Sequence, residues 1–550
     1  MSPRVGTPGV SVAHDVIEAL EAAGIRYAFT VPGESFLGIL DALRASTIRT
    51  VATRHESGAS FMAEAVSKLT STPALCLASR APGAANLLIG LHTALHDSTP
   101  LVAIVGQVST GARNRDSFQE VDLASMLRPV TKWCAEATSA RQLPELVADA
   151  CRRSVAGRTG PVAVCVPDDL IQERTGRKGL FRQRAVSAAP DEAIARTLDL
   201  LRSAHAPLII AGGGVLQRRA TSELEQLAEA LGVPVISAFR RHDVFPNDNP
   251  LYLGSMSLAT PPTTLRRFGS ADVVLAIGTR LSELTTRGYL YPRPETTLVH
   301  IDEGANEAAQ NFASTISIAA DPREVLMQML ASALPRPSEA QLEQNRTDRQ
   351  AWDEETTAPA PAVGSGWAEP ARVVDAVNRF LPANAVVASD AGNFSAWVSR
   401  YIRSPRPRSF VGATSGAMGY AVPAAIAAAL VVGRGIAIAG DGGFLMTSNE
   451  LATAAKLELD VTCVVFDNQM YGTIKMHQER AFPGRQVATD LWSPDFAAYA
   501  AAFGGKGFEL HDDSDIDEVI RAAMNHRGIS LVHVPMAPAP YLPQTGDIGG

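Results

Sequence analysis

The chain has 550 residues, 46% of them hydrophobic and 19% charged, with a net charge of −8. That length exceeds one hydrophobic core and points to about three domains of ordinary size, and the composition excludes intrinsic disorder as the default. No run of five or six Lys or Arg occurs, which argues against nucleic acid and against an anionic membrane surface as partners.

The opening MSPRVGTPGVSVAHDV lacks the charged-then-apolar build of a secretory leader. From residue 12 to 170, helical periodicity alternates with short apolar runs: YAFTV, TVATRHE, ALCLAS, PLVAIVGQ and PVAVCVP. Such alternation predicts a parallel sheet wrapped by helices, in a first domain at 1–175. A charged stretch at 172–192 reads as a linker. PLIIAGGG, VPVISAF, VVLAIGT and LVHID then predict a central α/β domain at 190–335, and polar, Pro-rich sequence from 335 to 365 reads as a second linker. The runs AVVASD, SFVGA, GIAIAG, VTCVVF and ISLVHVP predict a third domain at 365–550. The expected class is α/β, with three doubly wound parallel-sheet domains. GAMGYAVPAAIAAALVVG (416–433) approaches membrane-spanning length, but Pro423, its small residues and the adjacent Arg434 make it a buried Ala-rich helix. Cys76, Cys134, Cys151, Cys165 and Cys463 form no CxxC or His-paired spacing, which reads as reduced thiols in a cytoplasmic protein.

Two apolar runs in the third domain end on oxygen-bearing side chains. AIAGDGG reaches Asp441 and then Gly442 and Gly443, and VTCVVF reaches Asp467 and Asn468. Thr447 and Glu450 have capping-box spacing, which predicts a helix over about 448–458 between the two strands. A right-handed crossover makes those strands parallel, so Asp441 and Asn468 share one sheet edge, about 4.8 Å apart if the strands are neighbours. Ligands of open parallel sheets sit beyond the carboxyl ends of the strands. A carboxylate with an amide oxygen suits Mg²⁺ or Ca²⁺, and the open coordination positions suit a diphosphate. The plain alternative is a pair of turn formers.

GDG followed 27 residues after its acid by Asn resembles the motif of the thiamine diphosphate enzymes. FTVPGESF, RHESGASFMA, the stretch SRAPGAANLLIGLHTALHDSTPLVAIVGQV, DSFQEVD, GAMGYAVPAA and DNQMYG carry a resemblance to the acetohydroxyacid (acetolactate) synthase-like large subunits over about residues 10–540. The resemblance implies thiamine diphosphate and Mg²⁺, with Asp441, Asn468 and the Met470 carbonyl as metal ligands. Gly442 and Gly443, with Gly392, Asn393 and Tyr471, would bind the cofactor. The Gly416 carbonyl would take the ring amine, Met418 would bend the cofactor, and Glu56 would serve the aminopyrimidine as the catalytic acid. Glu56 is expected to be buried, its carboxyl raised by desolvation. A 2-oxo acid would lose CO₂ to leave an enamine, which a second carbonyl captures in a carboligase or a proton captures in a simple decarboxylase. The family builds its site between subunits, which implies a homodimer or homotetramer.

Some positions depart from the family pattern. His477 stands nine residues after Asn468, where the family has a tryptophan that selects the acceptor, and it becomes a candidate substrate contact or an ordinary structural histidine. Arg80 of SRAPG could clamp a substrate carboxylate or phosphate, or form a structural ion pair. Phe118 and Gln119 match the side of the substrate channel, with Gln119 placed to touch cofactor. In the central domain AGGG (211–214) lacks a GxGxxG, and with Asp302 it leaves FAD open against a degenerate site. A catalytically inactive nucleotide- or flavin-binding regulatory protein is the reading from another class.

Overall fold

The computed structural model describes residues 11–173, 187–304, 310–360 and 367–537. Segments 174–186 and 361–366 of the two predicted linkers lie outside the described residues, as do the opening residues 1–10. The chain forms two compact units, 1–185 and 186–550. Each apolar run named above contains a strand, and all but β2, the mostly exposed strand of TVATRHE, are largely buried, as helices on both faces require.

The first unit holds β1 (Tyr27–Thr30), β2 (Arg49–Ala52), β3 (Ala74–Ser79), β4 (Leu101–Gln107), β5 (Trp133–Glu136) and β6 (Pro161–Pro167), all parallel in the order β2-β1-β3-β4-β6-β5. Helices Glu56–Thr70 and Arg80–Asp97 pack on each other, and a Cβ at Gly90 would collide with Ser60, so this glycine permits the close crossing.

The second unit holds two more six-stranded sheets. The central one contains β7 (Pro207–Ala211), β8 (Val235–Ser237), β9 (Tyr252–Ser255), β10 (Val273–Ile277), β11 (Thr297–Asp302) and β12 (Ile316–Ala319), in the order β12-β11-β10-β7-β8-β9. The C-terminal one contains β13 (Ala385–Ser389), β14 (Phe410–Gly412), β15 (Arg434–Gly440), β16 (Asp460–Asp467), β17 (Lys506–Glu509) and β18 (Ile529–Pro535), in the order β14-β13-β15-β16-β18-β17. In both sheets the chain builds one flank and then reverses, between β7 and β10 and between β13 and β15. Such reversals open a crevice at the strand carboxyl ends.

Four strands, β5, β9, β12 and β17, carry no apolar run in the sequence. All are four-residue edge strands. An edge strand pairs on one side only, and β5, β12 and β17 are accordingly half-exposed or alternating. β9 is buried but spends two of its four positions on Gly254 and Ser255.

Two expectations need correction. The polar stretch taken as a second linker contains a helix, Glu339–Glu355, anchored by buried Trp352. That ring lies edge-on to Tyr252, 5.4 Å between centroids, with Arg403 stacked at 4.3 Å, and buried Asn345 Nδ2 donates to the Gly232 carbonyl at 2.7 Å, so a few anchored side chains hold an otherwise polar helix. The helix expected over 448–458 starts instead at Asp441, directly after β15, and runs to Thr447. A 3₁₀ turn at Ser448–Glu450 and a short helix Leu451–Lys456 follow. Thr447 and Glu450 do not cap: the Thr447 hydroxyl donates to the Gly419 carbonyl at 2.7 Å, and the Glu450 carboxylate accepts from the Thr453 hydroxyl at 2.7 Å. The predicted buried helix appears as Ala421–Val432, its first ten residues all buried.

Candidate functional site

β15 and β16 are hydrogen-bonded neighbours with Gly440 opposite Phe466, so Asp441 and Asp467 leave the sheet side by side. Both are buried. Burial, reinforced by the neighbouring Asp467 charge, pushes the Asp441 carboxyl up to about 7. Burial alone would raise Asp467 as well. It is outweighed by hydrogen bonds from His533 Nε2 at 3.0 Å, Ser493 Oγ at 2.8 Å and the Gln469 N–H at 3.1 Å, which hold Asp467 below the usual carboxylate range. Of the two acids, Asp441 therefore holds its charge less readily, and a divalent cation beside it would favour the ionised form.

These strand ends border a cavity of about 220 Å³. Gly392 and Asn393 line it beyond β13, Gly416 and Met418 before the Ala-rich helix, Asp441, Gly442 and Gly443 beyond β15, and Asn468, Met470 and Tyr471 beyond β16. Every C-terminal candidate except His477 is among the lining residues. His477 is exposed on helix Gly472–Ala481. Asn393 Oδ1 accepts from the Thr473 hydroxyl at 2.7 Å, while its Nδ2 is buried with no hydrogen-bond partner. The Met470 carbonyl accepts from Gly472 N at 2.9 Å, and its second lone pair is available to a ligand. The 469–472 turn is tied down by Tyr471 N to Thr489 O and by Leu491 N to Gln469 O, each 2.8 Å. Gly416 has φ +70, a left-handed backbone that suits glycine.

Thr473 also lines the cavity, and behind its walls Ser493 and His533 hold Asp467 while Asp390 packs against Gly443; none of these was singled out as a ligand. Asp390 follows β13 and is fully buried, which pushes its carboxyl up to about 6. Its signal was present in AVVASD, a third apolar run ending on an acid.

In the first unit, Glu56 opens helix Glu56–Thr70 four residues beyond β2, with His55 Nδ1 accepting from Ser57 N. Glu56 is half-buried rather than buried, and its Oε2 accepts from Asn86 Nδ2 at 2.9 Å. A Cβ at Gly83 would stand 3.2 Å from Glu56 Oε1, so that glycine leaves the carboxylate room. Arg80 begins the next helix and pairs with Glu34 at 3.1 Å and Asp168 at 3.5 Å, the ion-pair alternative of its two readings. Phe118 is 72% exposed, and Gln119 adopts φ +64 with its carbonyl accepting from Ala81 N at 3.4 Å.

In the central domain the glycines after β7 are filled from within. A Cβ at Gly214 would stand 2.7 Å from Gly278 Cα, and one at Gly213 would stand 2.8 Å from Arg241 Nε. Asp302 Oδ1 accepts from Gly304 N at 2.9 Å, a local turn contact. The close approaches at Gly213 and Gly214 account for both glycines by packing within the central domain. The C-terminal cavity does fit a magnesium diphosphate: it offers hard oxygen donors, a glycine turn and an orphaned buried amide. Among the described residues no cluster of three or more His, Cys, Asp or Glu forms a separate metal centre.

Comparison with known proteins gives matches along most of the chain. The family described as "Thiamine pyrophosphate enzyme, N-terminal TPP binding domain" matches residues 10–126, its central domain matches 194–329 and its C-terminal TPP binding domain matches 390–534. The "Probable acetolactate synthase large subunit" of Methanocaldococcus jannaschii is 30% identical over 96% of this chain and 93% of its own length. The "Acetolactate synthase isozyme 1 large subunit" of Escherichia coli K12 is 30% identical over 95% and 93%, and the "Acetolactate synthase" of Mycobacterium bovis is 30% identical over 93% and 85%. The chain belongs to the thiamine pyrophosphate enzymes, in their acetolactate synthase-like group. It is thus a thiamine diphosphate-dependent enzyme. No helix among the described residues of this acetolactate synthase-like chain is long and apolar enough to cross a membrane.

Proposed function

We propose that this enzyme is a Mg²⁺-dependent carboligase that decarboxylates a 2-oxo acid and joins the remaining acyl unit to a second carbonyl. The convergence of Asp441, Asn468, the Met470 carbonyl, Gly442 and Gly443 on one cavity is the observation that carries this reading. Thiamine diphosphate, when bound, supplies a nucleophilic carbon and an electron sink for the pair released with CO₂. Asp441, Asn468 and Met470 would hold Mg²⁺, while Gly442, Gly443, Gly392 and Asn393 would take the diphosphate and Tyr471 would close the side of the site. Gly416 and Met418 would seat the ring system. Glu56, oriented by Asn86, would hold the proton that the pyrimidine nitrogen needs. Gln119, Phe118, Arg80 and His477 are the proposed substrate-side residues, with Arg80 acting through its ion pairs.

The reading includes a homodimer or homotetramer. Exposed Ile474, Phe482, Val487 and Trp492, between 53% and 80% accessible, surround the segment after β16 and would be covered by a second copy. A cytoplasmic location is proposed from the cysteines, four of them buried in the cores. The central domain is read as structural, so the purified protein is expected to show no flavin absorbance.

Calorimetry with thiamine diphosphate, with and without Mg²⁺, tests the site. Product analysis with pyruvate and other 2-oxo acids, with and without an aldehyde, tests the reaction: aldehyde alone as product would replace the carboligase by a simple decarboxylase. Glu56→Gln should retain the coenzyme while slowing CO₂ release by about 10²- to 10⁴-fold.

A further inference from the structure

Arg240 belongs to the central domain and lines no part of the cavity. It lies three residues past β8, is 5% exposed and adopts a left-handed backbone, φ +57. Its guanidinium reaches out of its own sheet: Nη1 donates to the Ser389 carbonyl at 3.0 Å and Nη2 to the Asp390 carbonyl at 2.9 Å. These carbonyls belong to the last residue of β13 and to the residue after it, at the reversal point of the C-terminal sheet. A Cβ at Gly412 would come 3.0 Å from Nη1, so β14 boxes the guanidinium from the other side.

The Asp390 side chain carries this constraint further. Its carboxylate accepts from Ala391 N at 2.7 Å, from Gly419 N at 2.9 and 3.0 Å and from Ala421 N at 3.3 Å. It thereby pins the turn that runs from Gly416 through Met418 into the Ala-rich helix, and Gly419 in that turn has φ +84. The same carboxylate limits the glycine turn after β15, since a Cβ at Gly443 would stand 3.3 Å from Asp390 Cγ. Two cavity walls, Gly416 with Met418 and Gly442 with Gly443, are thus registered against one acid whose backbone is held by an arginine of another domain. A buried carboxylate without a fixed backbone would have to trade these N–H partners for water, and both walls would loosen together.

We propose that Arg240 is a positioning residue for the coenzyme cavity, acting through Asp390 on the turn 416–421. The proposal rests on the reading of that cavity as the coenzyme site.

Hydrogen–deuterium exchange on the full-length apo protein and coenzyme calorimetry separate the two claims. In Arg240→Met the amides of 413–424 should exchange faster while β7 and β10 keep wild-type protection, and the thiamine diphosphate Kd in Mg²⁺ should rise about tenfold. Arg240→Lys, which restores a donor to one carbonyl, should recover part of that affinity, a rescue that a mere packing role would not produce. Unchanged exchange at 413–424 with unchanged Kd would overturn the proposal, as would equal loosening of every sheet. Should Arg240→Met fail to fold, Asp390→Asn tests the second link, with the same local loosening expected and its absence fatal. A wild-type chain that binds no coenzyme would sink the site reading and the coenzyme part of the proposal, while the exchange data would still report whether Arg240 holds the turn.

Discussion

Within one compact unit, the central and C-terminal sheets present the same device at the same place: a parallel strand at the reversal point runs into glycines that open a helix. After β7, an added Cβ at Gly214 would meet the Gly278 backbone at 2.7 Å, and one at Gly213 the Arg241 side chain at 2.8 Å. After β15, an added Cβ at Gly442 would meet only side chains, first the edge of the Tyr471 ring at 2.7 Å, and the turn opens on a cavity. A glycine turn beyond a strand therefore does not by itself make a ligand site. The C-terminal turn adds two features that the central one lacks, an acid at the start of the helix and a neighbouring strand that ends on Asp467 and Asn468.

The sharpest way to break this comparison is to remove the acid. Asp441→Ala should abolish Mg²⁺-dependent uptake of thiamine diphosphate, seen as no heat of binding, and lower turnover by more than about 10³-fold, because no other carboxylate is placed to replace it without losing its own partners. Retained magnesium-dependent binding would make the C-terminal turn no more special than the central one.

A second test concerns protons. Because burial raises the Asp390 carboxyl to about 6, above its unfolded value near 3.8, the folded state binds the extra proton. Its contribution to stability is complete below about pH 4 and is lost as pH rises through about 6, a fall on the order of 3 kcal/mol. Urea unfolding between pH 4 and 7 should show that decline, and Asp390→Asn should flatten it.

Alanine at matched glycines separates packing from binding. Gly214→Ala meets backbone and should destabilise the fold by about 1–3 kcal/mol, lowering the urea midpoint. Gly442→Ala meets side chains that can move, so it should leave the midpoint nearly unchanged and weaken coenzyme binding instead. The smallest effect is expected at His477, exposed outside the cavity lining: His477→Ala should alter acceptor KM by less than about tenfold with coenzyme Kd unchanged. Unchanged steady-state constants would remove His477 from the substrate side.

Much of the architecture was legible because burial on both faces forces apolar runs; fourteen of the eighteen described strands lie in such runs, all of them largely buried except the edge strand β2. Asp441 and Asn468 were legible for a related reason, since a polar side chain at the end of such a run must lie at the sheet edge. Edge strands β5, β9, β12 and β17 were not: a strand paired on one side need not carry an apolar run, although the edge strands β2 and β14 lie in one. The helix at Glu339–Glu355 was hidden by its polarity: its one large apolar anchor, Trp352, finds partners about 100 residues earlier and about 50 later, and its other buried residues, Asn345 and Asp348, are polar.

The amino-acid order alone determined which segments are strands of parallel sheets and which oxygens end them, since both follow from local periodicity and from the handedness of the crossover. Tertiary packing alone decided which glycine turn is filled and which is open, that Asp390 and Arg240 brace the open one, and that Asp467 is held ionised by Ser493 and His533. Those outcomes depend on atoms brought together from positions far apart in the chain, and no local pattern encodes such distances.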